Sequence, residues 1–106
     1  MTAIEEEAER AKQNPGDWRE FLRVPTMSVG VYVLAPGAID RQSPHSEDEI
    51  YYVVRGRGRL THGSVDSEAK PGEVLFVPAH VPHRFHSITE ELVLLVVFAP
   101  PERVTG

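Results

Sequence analysis

The stretch SPHSEDEIYYVVRG, Ser43 to Gly56, sets a proline, a histidine and three acids directly against a run of strand-forming residues. Side chains alternate between the two faces of a β-strand, so Glu49, Tyr51 and Val53 share one face and Ile50, Tyr52 and Val54 the other. One face therefore carries an acid beside bulky apolar groups. A carboxylate turned into an apolar interior is costly unless a cation or strong donors compensate it. His45 lies four residues upstream, within reach of the same end of the strand.

The same strand grammar extends outward from this segment. From Ser28 onward, Gly and Pro punctuate β-branched and aromatic runs, the pattern of an all-β sandwich or barrel. Strands are expected at 28–35, 49–54, 57–62, 73–78, 83–88 and 92–99, with a weaker one at 65–70. Arg55 to Gly58 suits a tight hairpin, and Pro71-Gly72 the centre of a type II turn. Leu92 to Ala99 is apolar at nearly every position, which implies a strand covered on both faces. Its outer cover is either an N-terminal helix or a second subunit, so a homodimer is expected.

Ahead of the strands, Thr2 and Glu5 have capping-box spacing and open a short acidic helix that Asn14, Pro15 and Gly16 stop. Ile4, Ala8 and Ala11 fall on one of its faces. Trp18, Phe21 and Leu22 have the spacing of one further helical turn that anchors the arm. The expected organisation is a helical arm over residues 1–27 packing on a β domain over residues 28–106.

With 106 residues, 41% hydrophobic and 25% charged, the chain has the composition of one globular domain. The absence of cysteine excludes disulfides and thiolate metal sites. A formal net charge of -5 disfavours nucleic acid and anionic membranes as partners. No apolar run approaches bilayer length, and MTAIEEEAERAKQ is acidic where a signal peptide would be basic. A cytoplasmic protein with a small-molecule partner is expected.

A second polar cluster, PGEVLFVPAHVPHRFHS, supplies the other half of a site. Gly72 opens a strand, Pro78 and Pro82 shape a loop, and His83 begins the next strand with Phe85 on the same face. Two imidazoles and a carboxylate in an apolar pocket suit a divalent first-row transition metal and leave positions open for water and substrate. Taken singly, His45, Glu49 and His83 read as a loop histidine, a strand-end acid and another loop histidine; their joint spacing favours a site. His86 falls on the opposite strand face, and His80 lies in the loop at the pocket rim. Tyr51 and Phe85 either line the pocket or fill the core. Arg55, Arg57 and Arg59 form a basic strip or a solvated edge, while Glu47 and Asp48 read as solvated loop acids.

These two segments resemble the motifs of the cupin superfamily, in its small single-domain form. The first motif is matched by Gly37, His45, Glu49 and Gly56, the second by Gly72, Pro78 and His83. Three positions depart from it: Ser43 stands for the first histidine, His80 for a glycine and Ser87 for the terminal asparagine. The resemblance implies an all-β, double-stranded β-helix (jelly-roll) cupin barrel with a short N-terminal helical arm. It also implies a metal held by His45, Glu49 and His83, with Gln42 and Ser43 within reach of the ion or its water. Iron is the first choice, ahead of Mn, Ni, Zn or Cu. Fold alone does not set function in so varied a superfamily. The reading is a mononuclear metalloenzyme of dioxygenase type acting on a small organic substrate, with Tyr51 as a candidate hydroxyl donor. The alternatives are a non-catalytic module for a sugar or acid, and an isomerase or epimerase, the latter disfavoured for want of a poised base.

Overall fold

Two long strands organise the chain. The structure is a computed structural model that describes residues 3–40 and 44–103, so Thr2, Gln42 and Ser43 lie outside the described residues. The elements in order are α1 (Ile4–Ala11), a 3-10 turn (Pro15–Asp17), β1 (Trp18–Val24), β2 (Met27–Leu34), β3 (Asp48–His62), β4 (Val65–Ala69), β5 (Val74–Val77) and β6 (His83–Ala99). β3 and β6 pair antiparallel from Asp48 opposite Ala99 to His62 opposite His83. The alternation expected along β3 holds: Glu49, Tyr51 and Val53 are 1% exposed or less, and Ile50 and Tyr52 are each 41% exposed.

The sheet is open, which corrects the expected jelly-roll barrel. Its six strands run in the order β1-β2-β6-β3-β4, with β5 also on β3. β5 and β4 lie end to end along one edge of β3, against Glu49–Tyr52 and Gly58–His62 respectively. No ladder among the described residues joins β1 to either of them. The physical reason lies with a side chain. β2 pairs with β6 only from Leu92 to Phe98, and along the first half of β6 the Phe85 amide donates instead to Asp40 Oδ2 at 2.9 Å, while Oδ1 accepts from the Tyr32 hydroxyl at 2.8 Å, so a buried loop carboxylate rather than a strand meets that edge.

The expected hairpin at Arg55–Gly58 is instead the middle of β3. The β3–β6 ladder shifts register between Val53 and Arg55, Arg55 and Arg57, and Arg57 and Arg59. Such bulges bend and twist a strand without ending it. Gly56 shows why glycine is needed there: its φ is 94°, and a Cβ would lie 2.1 Å from the Glu91 carbonyl oxygen. The two runs expected as separate strands at 83–88 and 92–99 are likewise one strand. The Pro71-Gly72 turn forms as read, with the Glu73 amide donating to the Lys70 carbonyl at 3.1 Å and Gly72 at φ 88°.

Residues 18–24 are a strand, not the helical turn expected. β1 pairs with β2 around a bulge between Glu20 and Leu22. The spacing of Trp18, Phe21 and Leu22 suits a helix in isolation, but β2 leaves room for the indole: a Cβ on Gly30 would lie 2.3 Å from the Trp18 ring. Trp18 then packs edge-on to Phe98, ring centroids 6.1 Å apart.

Two apolar clusters hold these layers. The inner one includes Tyr51, Val53, Leu60, Phe85, Leu94, Val96 and Phe98. Because it draws on both halves of β3 and β6, the bent sheet folds over its own inner face. In the outer cluster, Ala8 and Ala11 of α1 cover Val31, Val33 and Val93, with Ile4, Phe21 and Val54 at its margin. The helix is thus the cover that the apolar β6 run requires at Val93. Each fully buried side chain of this size contributes about 1.5–3 kcal/mol. The helix begins at Ala3, which makes no side-chain cap, and Glu7 is held at the interface by Arg10 and Arg19. Among the described residues, no helix is long and apolar enough to cross a membrane.

Candidate metal centre

The inner end of β3 meets the start of β6 at three side chains. Glu49 sits between its β-partners Val77 and Phe98. His83 opens β6, and its Nδ1 lies 3.0 Å from the Val81 carbonyl, to which it donates. That bond sets the tautomer, leaving the Nε2 lone pair facing inward. Nε2 is 3.1 Å from the Tyr51 hydroxyl and 3.2 Å from Glu49 Oε1. His45 enters from the preceding loop, which is pinned by the His80 amide donating to the His45 carbonyl at 2.7 Å. Its ring stacks edge-on to Phe98 at 4.8 Å and presents Nε2 at 4.0 Å from Glu49 Oε1. Potential ligand atoms of His45, Glu49 and His83 all lie within 4.8 Å of one another, so the fold brings the three expected residues together.

The electrostatics of this cluster call for positive charge. Glu49 is 1% exposed, and neither of its carboxylate oxygens has a hydrogen-bond partner among the described residues. An unsatisfied buried carboxylate is destabilising by several kcal/mol in order of magnitude. The 3.2 Å approach of His83 does not relieve it while Nδ1 carries the ring proton, because a lone pair then faces the carboxylate. Burial pulls the His83 pKa down, but the Glu49 carboxylate and the Val81 carbonyl together lift it above its ordinary value. His45 moves the other way: burial holds it below its usual range and the nearby His83 adds to this, against the pull of Glu49. A divalent cation held by the Glu49 carboxylate and the His45 and His83 nitrogens would neutralise the buried charge, so the donor set fits a metal of the first transition row.

Beside the cluster is a cavity of about 270 Å³ whose walls include Trp18, Tyr32, Val96, Phe98 and Glu102, with His45 and Glu49 at its base. Burial, followed by the Asp40 charge, raises the Tyr32 hydroxyl far above its ordinary range and keeps it neutral. Glu102 is pushed up to about 7, by burial first and then by the charges of Glu49, Glu47 and Glu20. Sequence reasoning missed Trp18, Tyr32, Asp40 and Glu102. Alternation along β2 places Tyr32 on the face of Gly30 and Leu34 and was the available signal for it; Glu102, in a tail beyond the last strand, carried none.

The remaining expected residues fall outside the cluster. Tyr51 and Phe85 are fully buried beneath it, their rings 4.8 Å apart and edge-on, and only the Tyr51 hydroxyl reaches a ligand atom. His80 lines a neighbouring depression of about 430 Å³ with Glu47 and Glu102. Gln42 and Ser43 lie outside the described residues. Asp48 is exposed and accepts the Ala79 amide at 2.9 Å, but Glu47, expected to be solvated, is 3% exposed and held by Ser46. The basic strip is neutralised on the surface: Arg55 pairs with Glu5 and Glu91, Arg57 with Glu68 and Glu90, and Arg59 with Asp66.

Comparison with known proteins agrees with this geometry. The cupin domain pattern matches residues 30–98. The uncharacterized protein SCO3923 of Streptomyces coelicolor is 51% identical over 96 residues, covering 91% of this chain and 90% of that one. The crystal structure of TT1209 from Thermus thermophilus aligns with a TM-score of 0.77 at 25% identity, covering 95% of this chain and 97% of its own. BH2720 from Bacillus halodurans aligns at 0.76 with 20% identity, covering 93% and 81%. With the pattern spanning most of the sheet and a triad able to bind a divalent metal at its inner end, the chain belongs to the cupin family as a single-domain member.

Proposed function

We propose that His45, Glu49 and His83 hold a divalent transition metal, iron before Mn, Ni, Zn or Cu, and that the protein is a mononuclear metalloenzyme of dioxygenase type acting on a small organic molecule. The observation that carries this reading is the Glu49 carboxylate, fully buried, without a hydrogen bond to either oxygen among the described residues, and facing two imidazole nitrogens. A bound iron supplies Lewis acidity and redox chemistry. The protein's own part is to shape the space beside it. Trp18, Val96 and Phe98 make the wall largely apolar, while Tyr32, tied to Asp40, offers a neutral polar contact. A cavity of about 270 Å³ suits a small aromatic or aliphatic substrate.

The non-catalytic alternative has support of its own in the narrowness of the polar inventory. Among the described residues of the cavity wall, no group outside the triad and Glu102 is placed to exchange protons with a ligand. A sugar finds few partners on walls this apolar, and Glu49 and Glu102 disfavour an acid, so the module reading narrows to a neutral, weakly polar ligand. A homodimer remains part of the proposal. Ile50, Tyr52, Val74 and Phe76 are each at least 41% exposed and adjoin one another through the β3–β5 pairing, forming an apolar face for a second copy that light scattering of the purified protein tests.

Elemental analysis, then oxygen uptake with catechols, thiols and β-diketones after Fe(II) loading, tests the main reading. One metal per chain, lost in both His45→Ala and Glu49→Ala with the fold retained, is expected. Stoichiometric metal without turnover moves the conclusion to the binding module, and metal retained in both variants removes the triad.

A further inference from the structure

We propose that Glu102 is a positioning residue of this centre: its carboxylate holds the His45 imidazole by Nδ1, turning Nε2 toward Glu49 and His83. The inference deepens the metal reading and rests on it for its consequence, though not for its geometry. Glu102 Oε2 stands 3.3 Å from His45 Nδ1, on the side of the ring away from the cluster. The other histidine has the matching arrangement, with Nδ1 on the Val81 carbonyl and Nε2 inward. A histidine that binds a metal through one nitrogen needs a partner on the other to fix its tautomer and orientation. At His83 the backbone of its own loop provides that partner through a hydrogen bond, whereas at His45 the tail beyond β6 brings a carboxylate oxygen within ion-pair distance of Nδ1.

The tail is built to keep the carboxylate in place. The Glu102 amide donates to the hydroxyl of fully buried Ser28 at 2.9 Å, and Arg23 donates to the Glu102 carbonyl at 2.6 Å. Arg23 is in turn held by both carboxylate oxygens of Glu20, at 2.9 and 3.1 Å. Both backbone polar groups of Glu102 are thereby tied to β1 and β2. The side chain itself is 24% exposed and lies along the wall of the cavity. Its position therefore survives substitution of its carboxylate, because the anchors are backbone atoms.

Three variants separate positioning from charge. Glu102→Gln keeps the reach and an accepting oxygen but removes the charge; Glu102→Asp keeps the charge but withdraws it by one methylene; Glu102→Ala removes both. Nitrogen-15 NMR of the histidine rings, on chelator-treated protein, reads the tautomers without any metal. In the wild type and in Glu102→Gln, His45 carries its proton on Nδ1. In Glu102→Ala and Glu102→Asp that preference is lost, while His83 is unchanged. Co(II) titration then shows affinity falling about 10–100-fold in Glu102→Ala and Glu102→Asp and clearly less in Glu102→Gln. An unaltered His45 tautomer in Glu102→Ala overturns the proposal, as does Co(II) affinity within about twofold of wild type. The reverse order, with Glu102→Asp tolerated and Glu102→Gln impaired, overturns it in favour of a role in charge alone. If the wild type itself binds no Co(II), the metal reading fails by that result, and the tautomers alone decide the role of Glu102.

Discussion

β6 carries two histidine–carboxylate pairs, three residues apart and on opposite faces. His83 meets Glu49 inside, each side chain 1% exposed; His86 meets Asp66 outside, at 31% and 43% exposure. The outer pair is fully partnered. Asp66 Oδ1 accepts from His86 at 2.8 Å and Thr61 at 3.1 Å, and Oδ2 accepts from Arg59 at 2.6 Å. The inner carboxylate has no hydrogen-bond partner for either oxygen among the described residues. The same two functional groups, an imidazole and a carboxylate, thus make a surface staple in one place and a cation-seeking site in the other. The difference lies in what surrounds them: a saturated outer network needs nothing more, whereas burial without partners leaves a charge that only a ligand satisfies.

The sharpest way to break this contrast is to remove each histidine. His83→Ala is expected to weaken Co(II) or Zn(II) binding by more than the loss of an outer partner would, which is about 10–100-fold. His86→Ala is expected to leave it within about twofold, as read by calorimetric titration. Comparable losses in both would mean that the faces are not distinct. A smaller effect, opposite in sign for stability, belongs to Glu49→Gln. Replacing an uncompensated buried charge by a neutral group of the same shape should stabilise the chelator-treated protein by about 1–2 kcal/mol in urea unfolding. The same variant should lose the rise in Tm that metal binding confers on the wild type. Destabilisation by Glu49→Gln without metal would show that the carboxylate is already satisfied.

The outer pair has its own signature, in acid. Hydrogen bonds from His86 first and Arg59 next hold the Asp66 carboxyl down to about 2. Because the folded pKa lies below the unfolded value, near 3.9, the pair's contribution is complete above that value and disappears as pH falls through about 2. Asp66→Asn should therefore be less stable than wild type at neutral pH and converge with it across that window, with the gap at neutral pH shrinking in high salt. Metal affinity should not change. A pH-independent gap would assign Asp66 a role other than that of an ionised partner.

The inner site was more legible than the scaffold that presents it. Alternation along β3 placed Glu49 and Tyr51 inside because a period of two is a local property, and the spacing of His45, Glu49 and His83 survives in the linear order. The missed features each depend on a partner remote in sequence. β1 is a strand because Gly30 admits the Trp18 ring, and Arg55–Gly58 is a bulge because the Glu91 backbone passes beside Gly56. Asp40 rather than a strand takes the Phe85 amide where β2 ends beside β6, and Glu102 reaches His45 through anchors on Ser28 and Arg23. None of these contacts leaves a periodic trace. Glycine in particular reads equally as a turn or a bulge until its partner strand is known.

The smallest effect again contrasts the two regions, now through the backbone. His80, by the inner site, has φ 67°, and Ser87, beside the outer pair, has φ 52°. Both occupy positions where the cupin motif places residues that tolerate the left-handed region, glycine and asparagine. A side chain there costs about 1–2 kcal/mol, offset in glycine by the larger entropy of its unfolded chain, about 0.5–1 kcal/mol. His80→Gly should accordingly stabilise by about 0.5–1 kcal/mol, since the interaction that secures its loop is a backbone amide donating to the His45 carbonyl and survives the change. Ser87→Gly gains the same relief but loses the Ser87 hydroxyl beside His86 Nδ1, 3.0 Å away, so its net change should lie near zero. Urea midpoints for the two variants and for Ser87→Asn, which tolerates the conformation and keeps a polar group, separate backbone strain from the lost contact. If His80→Gly destabilises, the imidazole is making contacts at the mouth of the site that outweigh the strain of its backbone.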